Sequence, residues 1–233
     1  MLAADGADVP SMNTSMAAKK RGRRSASDGG ALSREAFTRA AREIVEANGV
    51  QAYSARSLAD HLGVDPTAVY RYFPSIDGVL SSVIDELLDG IAMPDGGTPR
   101  QRVESFLIAV HERFYDHPNL VPLLLISRDT LPETESLGRA GVALLESMGL
   151  RGDDLALSHR LLESYLVGMH AFDLGGAPTH LEVRRARLRR IDHPDIDRAA
   201  ASLEAVDDLN RRSFLTGLRL LLDYCESRAA TSK

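Results

Sequence analysis

The side chains able to do chemistry fall into three groups. The first is His111, Glu112, Asp116 and His117, the densest cluster of potential metal ligands. Its two histidines stand six positions apart, on different faces of a helix, so they make no ready ligand pair. The second runs from Ser54 to Phe73, where two short helices meet at a tight Gly63-Val64-Asp65 turn. Thr67, Ala68, Tyr70, Arg71 and Tyr72 follow on the second of them. Short side chains at an exposed helix start allow close approach to base edges. There a threonine hydroxyl can bond a base or phosphate, an alanine methyl can touch a thymine methyl, and an arginine can reach guanine. The third is the basic run Lys19, Lys20, Arg21, Arg23 and Arg24. It reads either as a solvated tail or as an arm lying on phosphates or in a minor groove.

Other chemistries are poorly represented. The sequence has no nucleophile elbow, no glycine-rich phosphate loop and no HExxH pair. No catalytic residue, metal or cofactor is therefore expected. Cys225 is the single cysteine, which excludes an intramolecular disulfide framework and a multi-cysteine zinc site. A helical metal enzyme using His111, Asp116 and His117 remains the alternative from another class, as does an interaction protein whose DNA-binding head has lost its function.

The chain has 233 residues, 44% of them hydrophobic and 26% charged, enough for a substantial core. Its longest apolar run, Leu120 to Ile126, is interrupted by Pro122 and is far too short to cross a membrane. With no apolar leader segment at the start, a cytoplasmic protein without a membrane partner is expected. The formal net charge is −5, but it is unevenly placed. Residues 19–73 carry ten Lys/Arg against six acids, whereas residues 74–233 sum to −7. A basic module on an acidic body points to a polyanionic partner for the basic part.

The elements that must position these groups read as helix after helix. Residues 1–30 lack any hydrophobic period and are expected to be a disordered arm. Ser33, Ser54, Asp65 and Ser75 are N-cap candidates, with Pro66 at the first helical position. Gly49 and Gly63 stand where helix ends need a left-handed backbone. Asp95-Gly96-Gly97-Thr98-Pro99 marks a boundary. The expected division is residues 31–92 as a helix-turn-helix head and residues 98–228 as a helical body. No stretch alternates with a strand period, so the fold class is all-α.

Residues 33–88 resemble the N-terminal domain of the tetracycline-repressor (TetR) family of bacterial transcription regulators. The resemblance rests on "SARSLADHLGV" and "TAVYRYFPS", with Gly49, Leu58-Ala59, Leu62-Gly63-Val64, Tyr70 and Phe73 in order and spacing. It implies a three-helix head, a connecting fourth helix, and an all-helical C-terminal bundle that forms a homodimer and encloses a small effector. It also implies double-stranded operator DNA as partner and, by family frequency, repression. Thr67, Ala68, Tyr70, Arg71 and Tyr72 fall on the family's recognition helix, Arg56 on a DNA-contacting arginine, and Ser54 and Ser75 on phosphate-side positions. Ile76 departs from the pattern, standing where many members carry a phosphate-binding lysine. The stretch ending "FLTGLRLLLD" resembles the last helix of the family's dimer interface, with the helix around Leu155–Phe172 as its neighbour. Phe106, Phe114, Tyr115, Met148, Tyr165, Met169, His170 and Phe172 are the candidate lining residues of a cavity for a lipophilic effector, with ordinary core packing as their alternative role.

Overall fold

The computed structural model describes residues 32–126, 132–172 and 176–231. The arm residues Lys19, Lys20, Arg21, Arg23 and Arg24 lie outside the described residues, as does the side chain of Phe172.

The head begins with α1 (Arg34–Asn48). Ser33 Oγ accepts the Ala36 N–H, and Gly49 closes the helix at φ +76°. Next comes α2 (Ala55–Leu62), whose start carries a reciprocal box: Ser54 accepts from the Ser57 N–H, and Ser57 accepts from the Ser54 N–H. Gly63 ends it in the left-handed region at φ +67°. The following element, Pro66–Arg71, is a 3-10 helix rather than the α-helix that the sequence suggests. Asp65 caps it by accepting the Thr67 N–H at 2.8 Å, and Pro66 takes the first position. α3 (Ile76–Leu88) starts at Ser75, whose Oγ accepts the Gly78 N–H at 3.0 Å. All four expected caps are therefore made by the expected residues.

The body comprises α4 (Pro99–Asp116), α5 (Val121–Ile126), α6 (Pro132–Ser147), α7 (Gly152–Phe172), α8 (Pro178–Arg189), α9 (Pro194–Ala199) and α10 (Leu203–Thr231). No strand occurs among the described residues, and no described helix is long and apolar enough to cross a membrane. The turn near Gly96 separates elements without separating cores. One buried apolar cluster runs from Phe37 in α1 to Ala229 in α10. α3 carries that continuity, packing on α1 in the head and on α4, α5 and α6 in the body. A smaller cluster of Leu181, Ala200 and Val206 joins α8 and α9 to α10.

Polar contacts bind head to body at a second place. Asn119 donates to the Glu46 carbonyl at 2.7 Å, and His117 Nδ1 lies 2.9 Å from the Glu46 carboxylate. The same carboxylate accepts from Arg42 Nε at 2.8 Å.

α7 and α10 run antiparallel. Arg228 Nε meets Asp154 at 2.8 Å at one end, and the Tyr165 hydroxyl donates to the Phe214 carbonyl at 2.8 Å at the other. Gly217 permits this approach: a Cβ there would lie 2.7 Å from Tyr165 Cζ. Gly217→Ala should therefore destabilise the protein despite alanine's better helix propensity. The propensity gain is about 1 kcal/mol, whereas overpacking costs roughly 1–3 kcal/mol and the displaced hydroxyl loses a bond worth about 1 kcal/mol. Thermal unfolding checks the sign; a raised melting temperature would contradict this packing account.

Candidate nucleic-acid interface and internal cavity

The 3-10 segment is locked from beneath. Leu58, Val69 and Phe73 are buried together with Phe37 of α1. Phe37 meets Phe73 edge-on at 6.4 Å and Tyr72 at 5.3 Å. The Arg34 guanidinium lies 4.0 Å from the centroid of the Phe73 ring and also donates to the Tyr72 carbonyl. The Tyr72 hydroxyl donates to the Leu32 carbonyl at 2.9 Å.

This locking corrects two expectations for the DNA-facing set. Ala68 is buried, since the 3-10 turn rotates its methyl into the head core beside Val69. Tyr72 is half-buried and spends its ring on Phe37 and its hydroxyl on Leu32. Tyr70 and Arg71 point the other way. Tyr70 is 55% exposed, and Arg71 has no hydrogen bond or ion pair among the described residues. Thr67 is exposed, with its hydroxyl donating to Asp65 at 2.6 Å. Arg56, on the first turn of α2, is exposed and pairs only loosely with Asp60 at 3.9 Å. Ser54 and Ser75 cap their helices and leave the first N–H groups of α2 and α3 at the ends of those elements. Ile76 is half-buried at the first position of α3 and offers no charge, although its carbonyl accepts from Tyr53 at 2.9 Å.

The body contains a cavity of about 250 Å³ between α3, α4, α6 and α7. Its wall is mostly Leu, Val and Phe, with Gly138 and Gly141 on the α6 side. Of the eight candidate lining residues, Phe106, Phe114 and His170 are in the wall. Tyr115, Met148, Tyr165 and Met169 are not among its lining residues. Tyr115 instead turns to α10, where its hydroxyl donates to Asp207 and Arg211 covers its ring at 4.7 Å. Tyr165 is held at Phe214, and Met148 and Met169 pack against the core as partly buried side chains. The residues not anticipated include Leu88, Leu137, Leu145 and Leu166. Their apolar spacing was visible, but a wall leucine and a core leucine look alike until the void between helices is known. Leu88 matters most, because it is the last residue of α3 and so touches both the cavity and the helix that runs to the head.

The histidines of the metal alternative part company. His117 lies at the head–body contact with Glu46. His111 is buried and stacked on Phe214 at 3.6 Å, with His170 at 4.7 Å on its other contact. Among the described residues no group of three potential ligands is close enough to hold a metal. Burial holds both stacked imidazoles neutral. It depresses His111 to about 3, with help from His170 and Arg211, and His170 to about 4. Unfolded histidines titrate near 6.5, so the unfolded chain takes up protons first as pH falls. The stability from this pair is complete above that value and is lost downward through about 4 and about 3. At a pH of about 5 the loss should be roughly 2 kcal/mol from each. Urea midpoints at neutral pH and at that lower pH should separate more for the natural chain than for His111→Gln/His170→Gln. Equal separations would contradict the assignment.

A helix-turn-helix head fused through α3 to a helical body with an internal apolar cavity defines the class of this protein. Residues 37–83 match the model of the bacterial regulatory proteins of the tetR family. An HTH-type transcriptional repressor of Mycobacterium tuberculosis is 28% identical over 141 residues, which cover 57% of this chain and 54% of that one. The chain thus spans about half the length of the curated relatives it matches. The fold is shared with apo ActR of Streptomyces coelicolor, at a TM-score of 0.68 and 20% identity over 87% of this chain and 98% of that one. It is also shared with BioQ of Mycobacterium smegmatis, at a TM-score of 0.63 and 20% identity over 84% of this chain and 99% of that one. The tetR-family match covers the head, residues 37–83, and the likeness to these solved structures shows that the shared fold extends over the body.

Proposed function

We propose that the chain is a transcriptional repressor that binds palindromic double-stranded operator DNA as a homodimer and lets go when an apolar small molecule fills the body cavity. The observation that carries this reading is the pairing of exposed Tyr70 and Arg71 on a turn whose other face is fixed in the core. In this reading Thr67, Tyr70 and Arg71 meet base edges. Arg56 and the helix starts at Ser54 and Ser75 meet phosphates, and the arm from Lys19 to Arg24 adds further phosphate contacts. Residues 31–92 read DNA, and residues 98–228 bind effector and dimerise. Two solved relatives support the pairing of roles: BioQ has been solved with its double-stranded DNA operator, and ActR with actinorhodin. No catalytic step is assigned, and the site of action is the cytoplasm, where the DNA is.

The dimer face follows from register. The antiparallel pairing of α7 with α10 sets Leu161 level with Leu220. These side chains are 37% and 65% exposed, and Leu157, one turn along α7, is 48% exposed. Exposed leucines clustered on two packed helices are what a second copy would cover. Leu88 gives the route from cavity to head: a ligand that fills the cavity displaces α3 and so changes the distance between the two heads.

Fluorescence anisotropy with a labelled duplex tests the electrostatic part. Affinity should fall steeply between roughly 50 and 200 mM salt, with a logarithmic slope of about −0.9 per phosphate contacted. Binding that is absent, or indifferent to salt, would overturn the reading.

A further inference from the structure

The cavity wall contains one buried polar atom without a partner among the described residues. His170 is 3% exposed, and its Nε2 has no hydrogen-bond partner among the described residues. Its ring is held by stacking on His111, which is itself stacked on Phe214 at an interplanar angle of 8°. The imidazole therefore cannot turn to solvent without breaking contacts that join α4, α7 and α10. The other polar side chains in the wall are His159 and Glu163. Glu163 is exposed and paired with Arg160 at 2.9 Å, so its charge belongs to the mouth rather than the interior.

We propose that the cavity takes an uncharged, mainly apolar ligand of ring size carrying one hydroxyl or carbonyl, and that this group hydrogen-bonds Nε2 of His170. The inference rests on the cavity being the effector site and names the class of effector. A purely apolar occupant would leave the buried nitrogen without a partner. A carboxylate or phosphate would lose its hydration against a wall whose described residues include no lysine or arginine and in which burial keeps His170 neutral. A cation would find the one carboxylate among the described wall residues, Glu163, at the solvent edge. A neutral imidazole presents either an N–H or a lone pair at Nε2, depending on tautomer. A hydroxyl answers both, whereas a carbonyl answers only the N–H.

Calorimetric titration of the full chain near neutral pH with alpha-naphthol, alpha-methylnaphthalene and alpha-naphthoate tests this. The three probes share one ring system and differ in the group offered to His170. Naphthol should bind about tenfold more tightly than methylnaphthalene, the worth of one neutral hydrogen bond, and naphthoate should bind most weakly. His170→Leu should abolish the preference for naphthol, and His170→Gln should retain it. Equal binding of naphthol and methylnaphthalene by the natural chain would overturn the proposal. So would naphthoate binding most tightly, no probe binding, or the preference surviving His170→Leu. Failure of the repressor reading looks different. Naphthol that binds through His170 but leaves duplex affinity unchanged upholds the anchor and removes effector release.

Discussion

Leu161→Glu combined with Leu220→Glu is expected to convert the proposed dimer into a folded monomer. Each protomer would lose two leucines from the face that α7 and α10 present together, so four are lost per dimer. A buried leucine contributes about 1.5–3 kcal/mol, and four carboxylates facing one another add repulsion and desolvation. The shift in dimerisation free energy is therefore on the order of 8 kcal/mol, enough to dissociate dimers of ordinary interface size at micromolar concentration. Both side chains are exposed in the single chain, at 37% and 65%, so the fold of each protomer should survive. Sedimentation equilibrium with circular dichroism as control measures both. A double variant that remains dimeric would move the interface elsewhere, and a misfolded one would show that these leucines are core.

The second large effect is expected at Arg71. A bidentate arginine contact to guanine discriminates by roughly 1–3 kcal/mol. With about 2 kcal/mol lost from each of two heads, Arg71→Ala should weaken operator binding roughly a thousandfold. Arg71→Lys keeps the charge and loses the fork, so its affinity should fall between the two while selectivity at the contacted base pair is lost. Binding measured to a matched and a single-substituted duplex separates base reading from phosphate contact. A residue on phosphate would lower both affinities equally and flatten the salt slope. Because Arg71 has no partner among the described residues, its removal should leave thermal stability nearly unchanged, which keeps the binding result interpretable.

How much of this was legible in the sequence depends on the range of the interactions involved. The caps at Ser33, Ser54, Asp65 and Ser75 were readable because capping is a contact over two or three residues, set by local residue type. Gly49 and Gly63 were readable for the same reason. The orientation of Ala68 and Tyr72 was not. A six-residue 3-10 helix advances its side chains by a different angle per residue from an α-helix, and sequence spacing alone did not distinguish the two. The cavity was legible only as an apolar stripe. Phe106 and Phe114 lie in its wall because they share a face of α4 that points inward. Tyr115 was misplaced because its partners, Asp207 and Arg211, come from the far end of the chain. The unsatisfied nitrogen of His170 depends on what is missing around it, and no spacing rule reports that.

The measurement that tests the central claim most directly is selection of random duplex DNA by the purified full chain at near-physiological salt. The head geometry and the leucine face of α7 and α10 together predict enrichment of one palindrome. Its half-sites should be centred about 34–36 Å apart, or a multiple of that spacing. The same selection with Arg71→Ala should lose information at one symmetric pair of positions. Failure to enrich any sequence, with only weak salt-sensitive binding left, would contradict the assignment of Thr67, Tyr70 and Arg71 as a reading surface.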